Sequence, residues 1–95
     1  MLFRSAVDSD IANTMLWMLQ QVVKGGTGAG AALPNRPVAG KTGTTDGYRD
    51  AWFVGYTPEV VVGVWVGFDD ERALRLTGSQ AALPIWADKI GRAHV

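Results

Sequence analysis

Three strand-like runs, joined by links too short to hold a crossover, constrain this chain more than any other feature. Val38 to Thr45, Ala51 to Tyr56 and Val60 to Phe68 carry the β-branched and aromatic residues that favour a pleated surface. Asp46-Gly47 is a turn signal after the first run, and Thr57-Pro58-Glu59 separates the second from the third. A parallel connection needs about a dozen residues or more. The three runs are therefore expected to form an antiparallel meander.

Helices flank it. Asp8 or Ser9 can cap a helix N-terminus. Beyond them Ile11, Met15, Leu19 and Val23 recur at fourfold spacing, with Ala12, Leu16 and Val22 widening the stripe. That spacing predicts an amphipathic helix with one buried face, ended by Gly25-Gly26. Residues 25–37 read as a Gly-, Ala- and Pro-rich loop, and residues 69–80 as a polar one. Ala81 to about Asp88 reads as a second helix, with Pro84 tolerable only in its first turn. The expected fold class is α+β, a β-meander with flanking helices.

Composition narrows the function classes. With 95 residues the chain is one small domain or part of a larger one. A zero formal net charge and 47% apolar residues argue against disorder and against a nucleic-acid-gripping surface. Cysteine is absent, which excludes a disulfide framework and a thiolate metal site. The longest apolar stretch, Val60 to Phe68, is too short to span a bilayer as a helix. Met1-Leu2-Phe3-Arg4 opens no signal-peptide core, so a targeting signal for an exported parent is expected upstream.

Two motif-like strings are rejected on physical grounds. Gly40-Lys41-Thr42 lacks the glycine a P-loop needs at position 35, which is Asn35. Pro37 would also remove an N–H from the phosphate cradle, and Thr42 to Gly47 is a poor helix start. Gly26, Gly28 and Ala31 match a dinucleotide fingerprint in spacing. They follow a helix rather than a strand, however, and Pro34 interrupts the helix that should come next.

Lys41-Thr42-Gly43-Thr44, on a strand, resembles the K-T-G element of serine acyl-transferases that handle penicillin. A lysine ammonium raises the local positive potential, draws in a substrate carboxylate and helps activate a nearby serine. Thr42 and Thr44 alternate along the strand and so share a face, where both hydroxyls can bond that carboxylate. Gly43 between them lets another group approach closely. The Thr44 backbone N–H can supply half of an oxyanion hole.

The surrounding sequence makes the motif specific. Arg36 to Trp65, Met18-Leu19-Gln20 with Val22-Val23, Gly26-Thr27-Gly28, Val66 to Asp70 and Ala81 to Trp86 together resemble the class A, bifunctional penicillin-binding proteins. The resemblance covers most of Asp8 to Asp88 and implies a C-terminal portion of the transpeptidase domain, a fragment of the serine transpeptidase/β-lactamase-like fold. It implies catalytic roles for Lys41 and Thr44 and substrate binding by Lys41, Thr42, Gly43 and Thr44. It further implies acyl transfer from D-Ala-D-Ala stem peptides of peptidoglycan, inhibition by β-lactams, and no metal or organic cofactor. The parent is expected at the outer face of the bacterial cytoplasmic membrane, anchored by an upstream segment, with no nucleic-acid partner. Trp52, Phe53 and Trp65 are expected in the core, and Asp46, Arg49 and Asp50 in turns or ion pairs.

The departures carry equal weight. Ser5, Ser9 and Ser79 each lack a lysine three residues on, and none begins a Ser-x-Asn element. The resemblance puts the nucleophile and its base upstream, so the chain alone is expected to be inactive. A serine β-lactamase or D,D-carboxypeptidase of the same fold, or a non-catalytic penicillin-sensing receptor domain, are the alternatives. Residues 89–95 break the resemblance. Ile90 to Val95 is also what one reading frame of a common sequencing adapter encodes. This segment is therefore expected to be a non-native tail, and His94, the sole histidine, is not a candidate base.

Overall fold

The computed structural model describes residues 6–34, 36–70 and 72–93. Helix α1 spans Ser9–Gly25, strand β1 Ala39–Thr44, β2 Asp50–Tyr56, β3 Val61–Gly67 and helix α2 Gly78–Ala93. The sheet is the expected antiparallel meander in the order β1-β2-β3. Its register sets Thr42 opposite Phe53 and Phe53 opposite Val64, and Lys41 opposite Val54 and Val54 opposite Gly63. The links are as local as the sequence suggests. Asp46–Tyr48 form a single 3-10 turn in which Gly47 takes φ 76°, and the Thr57 N–H donates to Val60 O (3.0 Å) to close the second turn.

Antiparallel partners share a face, so the register divides the sheet in two. The inner face carries Ala51, Phe53, Val62, Val64 and Val66 and is covered by α2, the C-terminal end of α1 and a 3-10 turn at Ala29–Ala31. At its centre Phe53 and Trp86 are both fully buried and meet edge to face, with centroids 5.2 Å apart. The Trp86 indole N–H donates to Gly55 O (3.3 Å) and Val62 O (3.1 Å), so the ring loses no hydrogen bond on burial. Gly55 is needed beneath it. A Cβ there would lie 2.6 Å from Phe53 and 2.9 Å from Trp86.

Among the described residues the outer face has no such cover. Trp52 is 44% exposed and Trp65 46%, and the two are register partners. Of Trp52, Phe53 and Trp65, all three expected in the core, only Phe53, on the opposite face, is buried. Period-two alternation puts Trp52 and Phe53 on different sides of the sheet, and only one side has a layer above it.

Two helix expectations are also corrected. In α1 the Asp8 side chain caps the first turn by accepting from the Asp10 N–H (2.8 Å), and Gly26 ends the helix with its N–H on Val22 O. Of the expected buried stripe, though, only Val23 is buried. Leu16, Leu19 and Val22 are half-buried, and Ile11 (58% exposed) and Met15 lie open. Seventeen residues of helix run about 25 Å, and only the C-terminal half reaches the chain near Pro37 and Ala39. Helix α2 begins three residues earlier than expected and runs on through Ala93, with Pro84 in its interior. Buried Ala82, Leu83, Trp86 and Ile90 flank that proline, and their packing offsets the hydrogen bond it removes. Ile90 follows Trp86 by one turn and is carried onto the same face. His94 lies outside the described residues. No helix among the described residues is long and apolar enough to cross a membrane.

Candidate active site

All four residues of the Lys41–Thr44 motif lie on β1, which is an edge strand. The next residue fixes which backbone groups face outward. The Thr45 N–H donates across to Asp50 O on β2 (3.1 Å). Backbone groups alternate along an antiparallel strand, so the N–H and C=O of Thr42 and Thr44 face the open edge. Among the described residues no strand pairs with them there.

The side chains divide as the register requires. Thr42 and Thr44 share the inner face with their partners Phe53 and Ala51, as alternation predicts. Each hydroxyl has a defined neighbour. The Thr42 Oγ1 lies 2.8 Å from the Thr27 Oγ1, and the Thr44 Oγ1 accepts the Gly78 N–H at 3.0 Å. Gly78 starts α2 against the strand backbone, where a Cβ would stand 2.4 Å from Trp52 O and 2.7 Å from Gly43 O. Only glycine can bring that N–H so close.

Lys41 belongs to the outer face beside Val54. Its side chain is exposed, and its ammonium turns back to donate to Thr42 O at 3.0 Å. That carbonyl faces the open edge, so the charge and the Thr44 N–H share the edge, with the two hydroxyls just inside it. Among the described residues Lys41 forms no ion pair. No group of metal-ligating side chains occurs among them either.

Asp50 is tied to its strand end: it accepts the Thr45 hydroxyl (3.3 Å) and the Trp65 indole N–H (2.8 Å), while its own N–H donates to Thr45 Oγ1 (2.9 Å). Asp46 lies in the 3-10 turn. An apolar notch of about 200 Å³ lies between Leu16, Gln20, Pro37 and Pro58 at the opposite end of β1. It holds none of the motif residues.

Sequence reasoning missed Thr27 and Gly78, the two groups that touch the motif hydroxyls. Gly78 was recoverable: Thr77-x-x-Gln80 is a capping-box pattern, and the Gln80 side chain does accept the Thr77 N–H (2.9 Å). It marks the true start of α2. Thr27 lies 15 residues from Thr42, and no local signal pairs them.

Residues 3–89 match the family of the penicillin binding protein transpeptidase domain. Penicillin-binding protein 1A of Aquifex aeolicus is 55% identical over 73 residues, 75% of this chain and 10% of that protein. The 1A proteins of Pseudomonas aeruginosa and Neisseria flavescens are 48% and 45% identical over 90% of this chain, each alignment spanning 11% of the relative. The chain thus spans about a tenth of the curated relatives it matches. Among solved structures, the transpeptidase domain of the D,D-transpeptidase FtsI4 from Legionella pneumophila superposes with a TM-score of 0.70 at 28% identity, covering 94% of this chain and 37% of that one.

Proposed function

The chain belongs to the penicillin-binding protein transpeptidase domain family, and from that premise we propose that β1 is the substrate-binding edge of a D,D-transpeptidase that cross-links peptidoglycan. The observation that carries this reading is the convergence at one open edge of the Lys41 ammonium, the Thr44 N–H and the Thr42 and Thr44 hydroxyls. An extended stem peptide ending in D-Ala-D-Ala adds to such an edge by backbone hydrogen bonds. Its terminal carboxylate is acceptor-only and takes the threonine hydroxyls, while Lys41 supplies the charge that attracts it.

The chemistry needs a serine from outside this chain. Its Oγ attacks the carbonyl of the penultimate D-Ala, its proton passing to an adjacent base. The resulting oxyanion is held by the Thr44 N–H and the serine's own N–H. The C–N bond breaks, D-Ala leaves with a proton, and the amine of a second stem peptide takes the acyl group and frees the serine. No cofactor enters this scheme. Penicillin follows the same first half and stops at the acyl-enzyme. The parent acts at the outer face of the cytoplasmic membrane, where its substrate is. The relatives named 1A favour the class A transpeptidase over a β-lactamase or a penicillin-sensing receptor.

The test is a labelled penicillin and a D-Ala-D-Ala stem peptide offered to the full-length protein. Covalent labelling with release of D-Ala supports the reading, and absence of both ends it. Residues 1–88 alone should form no adduct that survives denaturation, because the chain holds no Ser-x-x-Lys. We also propose that residues 89–95 are a non-native tail. The family match runs through residue 89 and leaves residues 90–95 outside it, and a natural gene encoding Ile90 to Val95 followed by further helix would refute it.

A further inference from the structure

We propose that Thr27 is a positioning residue that aims the Thr42 hydroxyl proton at the substrate carboxylate. This rests on the reading of β1 as a carboxylate-binding edge. The two motif hydroxyls share a face and each meets one partner. For Thr44 the partner is the Gly78 N–H (3.0 Å). A backbone N–H only donates, so the Thr44 oxygen is occupied as an acceptor and its own proton is left for another group. For Thr42 the partner is the Thr27 hydroxyl (2.8 Å), which can play either part.

A bound carboxylate removes that ambiguity. It accepts only, and hydrogen bonds to it are stronger than those between two neutral hydroxyls. Thr42 therefore donates to the carboxylate, and Thr27 turns to donate to Thr42. The chain Thr27 to Thr42 to carboxylate then matches the chain Gly78 to Thr44 to carboxylate, and each link polarises the next. Thr27 is built to stay in place. The N–H groups of the glycines on both sides of it, Gly26 and Gly28, donate to Val22 O at 3.0 and 3.1 Å. Gly28 is buried, where a Cβ would meet Val22 at 3.1 Å and Phe53 at 3.4 Å. The loop that ends α1 thus presents one hydroxyl to β1 from a pinned backbone.

The experiment uses the full-length protein and two probes, a labelled penicillin with a free carboxylate and its methyl ester. Thr27→Val should lower the second-order rate of acylation by the free acid about tenfold, the loss of roughly one hydrogen bond between neutral groups, and leave the ester nearly unaffected. Thr27→Ser should keep the free-acid rate near that of the parent. Thr42→Val should show the same selectivity between probes, and the double variant should lose little more than either single one. Thr27→Ala, which removes the hydroxyl without adding an apolar group, gives the same comparison if the valine variant folds poorly. Wild-type acylation in both Thr27→Val and Thr27→Ala, with Thr42→Val impaired, overturns the role of Thr27 alone. Equal losses on acid and ester also overturn it, since Thr27 would then act through the fold. A Thr42→Val variant that treats acid and ester alike overturns instead the carboxylate-binding reading of β1.

Discussion

The two faces of this three-stranded sheet are built from neighbouring residues and have opposite fates. On the inner face Phe53 is buried beneath Trp86, whose indole N–H is satisfied by two strand carbonyls. On the outer face Trp52, the adjacent residue, stays 44% exposed beside Lys41's partner Val54 and opposite Trp65. The inner face holds the chain together, while Lys41 lies on the outer face beside the open edge that we propose as the site. A catalytic charge is most useful where no core packing depends on it. Substitutions on the two sides should therefore separate stability from activity.

The largest effect belongs to the inner face. Trp86→Ala removes a fully buried ring, its edge-to-face contact and two hydrogen bonds. It should cost about 3–5 kcal/mol of stability, read as a lowered denaturant midpoint in the full-length protein. A loss below about 1 kcal/mol, the size expected away from any core, would mean that the inner face is not the core. Lys41→Ala should do the reverse. The side chain is exposed, so the melting temperature should hold. Acylation by penicillin should fall about a hundred- to thousandfold, the worth of one well-placed electrostatic donor. Near-normal acylation would remove Lys41 from the site.

Trp52→Ala sharpens the comparison further. In the 95-residue chain at low concentration it should cost only about 0.5 kcal/mol, as an exposed site does. In the full-length protein we expect a larger cost, because the relatives, of which the matched part is about a tenth, have chain available to cover this face. Equal small costs in both would leave the outer face open in the whole protein.

How much of this was legible in the sequence depended on distance along the chain. The meander was legible because its cues, alternation and the Asp46-Gly47 and Thr57-Pro58-Glu59 turns, act over a few residues. The shared face of Thr42 and Thr44 follows from the two-residue period alone. The outward position of Trp52 and Trp65 was not legible, since both faces of β2 carry large apolar residues and composition cannot say which has a layer above it. The same holds for Ile11 and Met15, whose spacing is that of a buried stripe although nothing described here covers them. Pro84 misled in the other direction. Its local cost is real, but Trp86 and Ile90 supply packing that no local rule counts. Thr27 could not be found at all, because its bond to Thr42 exists only once α1, its closing loop and β1 have come together.

The smallest predicted effect lies at the far turn and tests whether charge matters to the fold away from the edge. Glu59 follows Pro58 in the link between β2 and β3 and pairs with Arg36, just before β1. The Arg36 guanidinium, and after it the Thr57 hydroxyl that donates to Glu59 Oε2 at 3.0 Å, hold the Glu59 carboxyl below its ordinary value of 4.5. A depressed carboxyl pKa means that the unfolded state binds the proton more readily. The pair's contribution is therefore present above pH 4.5 and fades as pH falls through the lower folded value. Both partners are solvent-accessible, so the contribution is small and salt-sensitive. Glu59→Gln should flatten a shallow acid-side decline in melting temperature measured at low ionic strength, and leave the neutral-pH value almost unchanged. An acid-side slope that survives the substitution would assign the decline to another carboxylate, and a large loss at neutral pH would show that this turn, like the inner face, is part of what holds the sheet together.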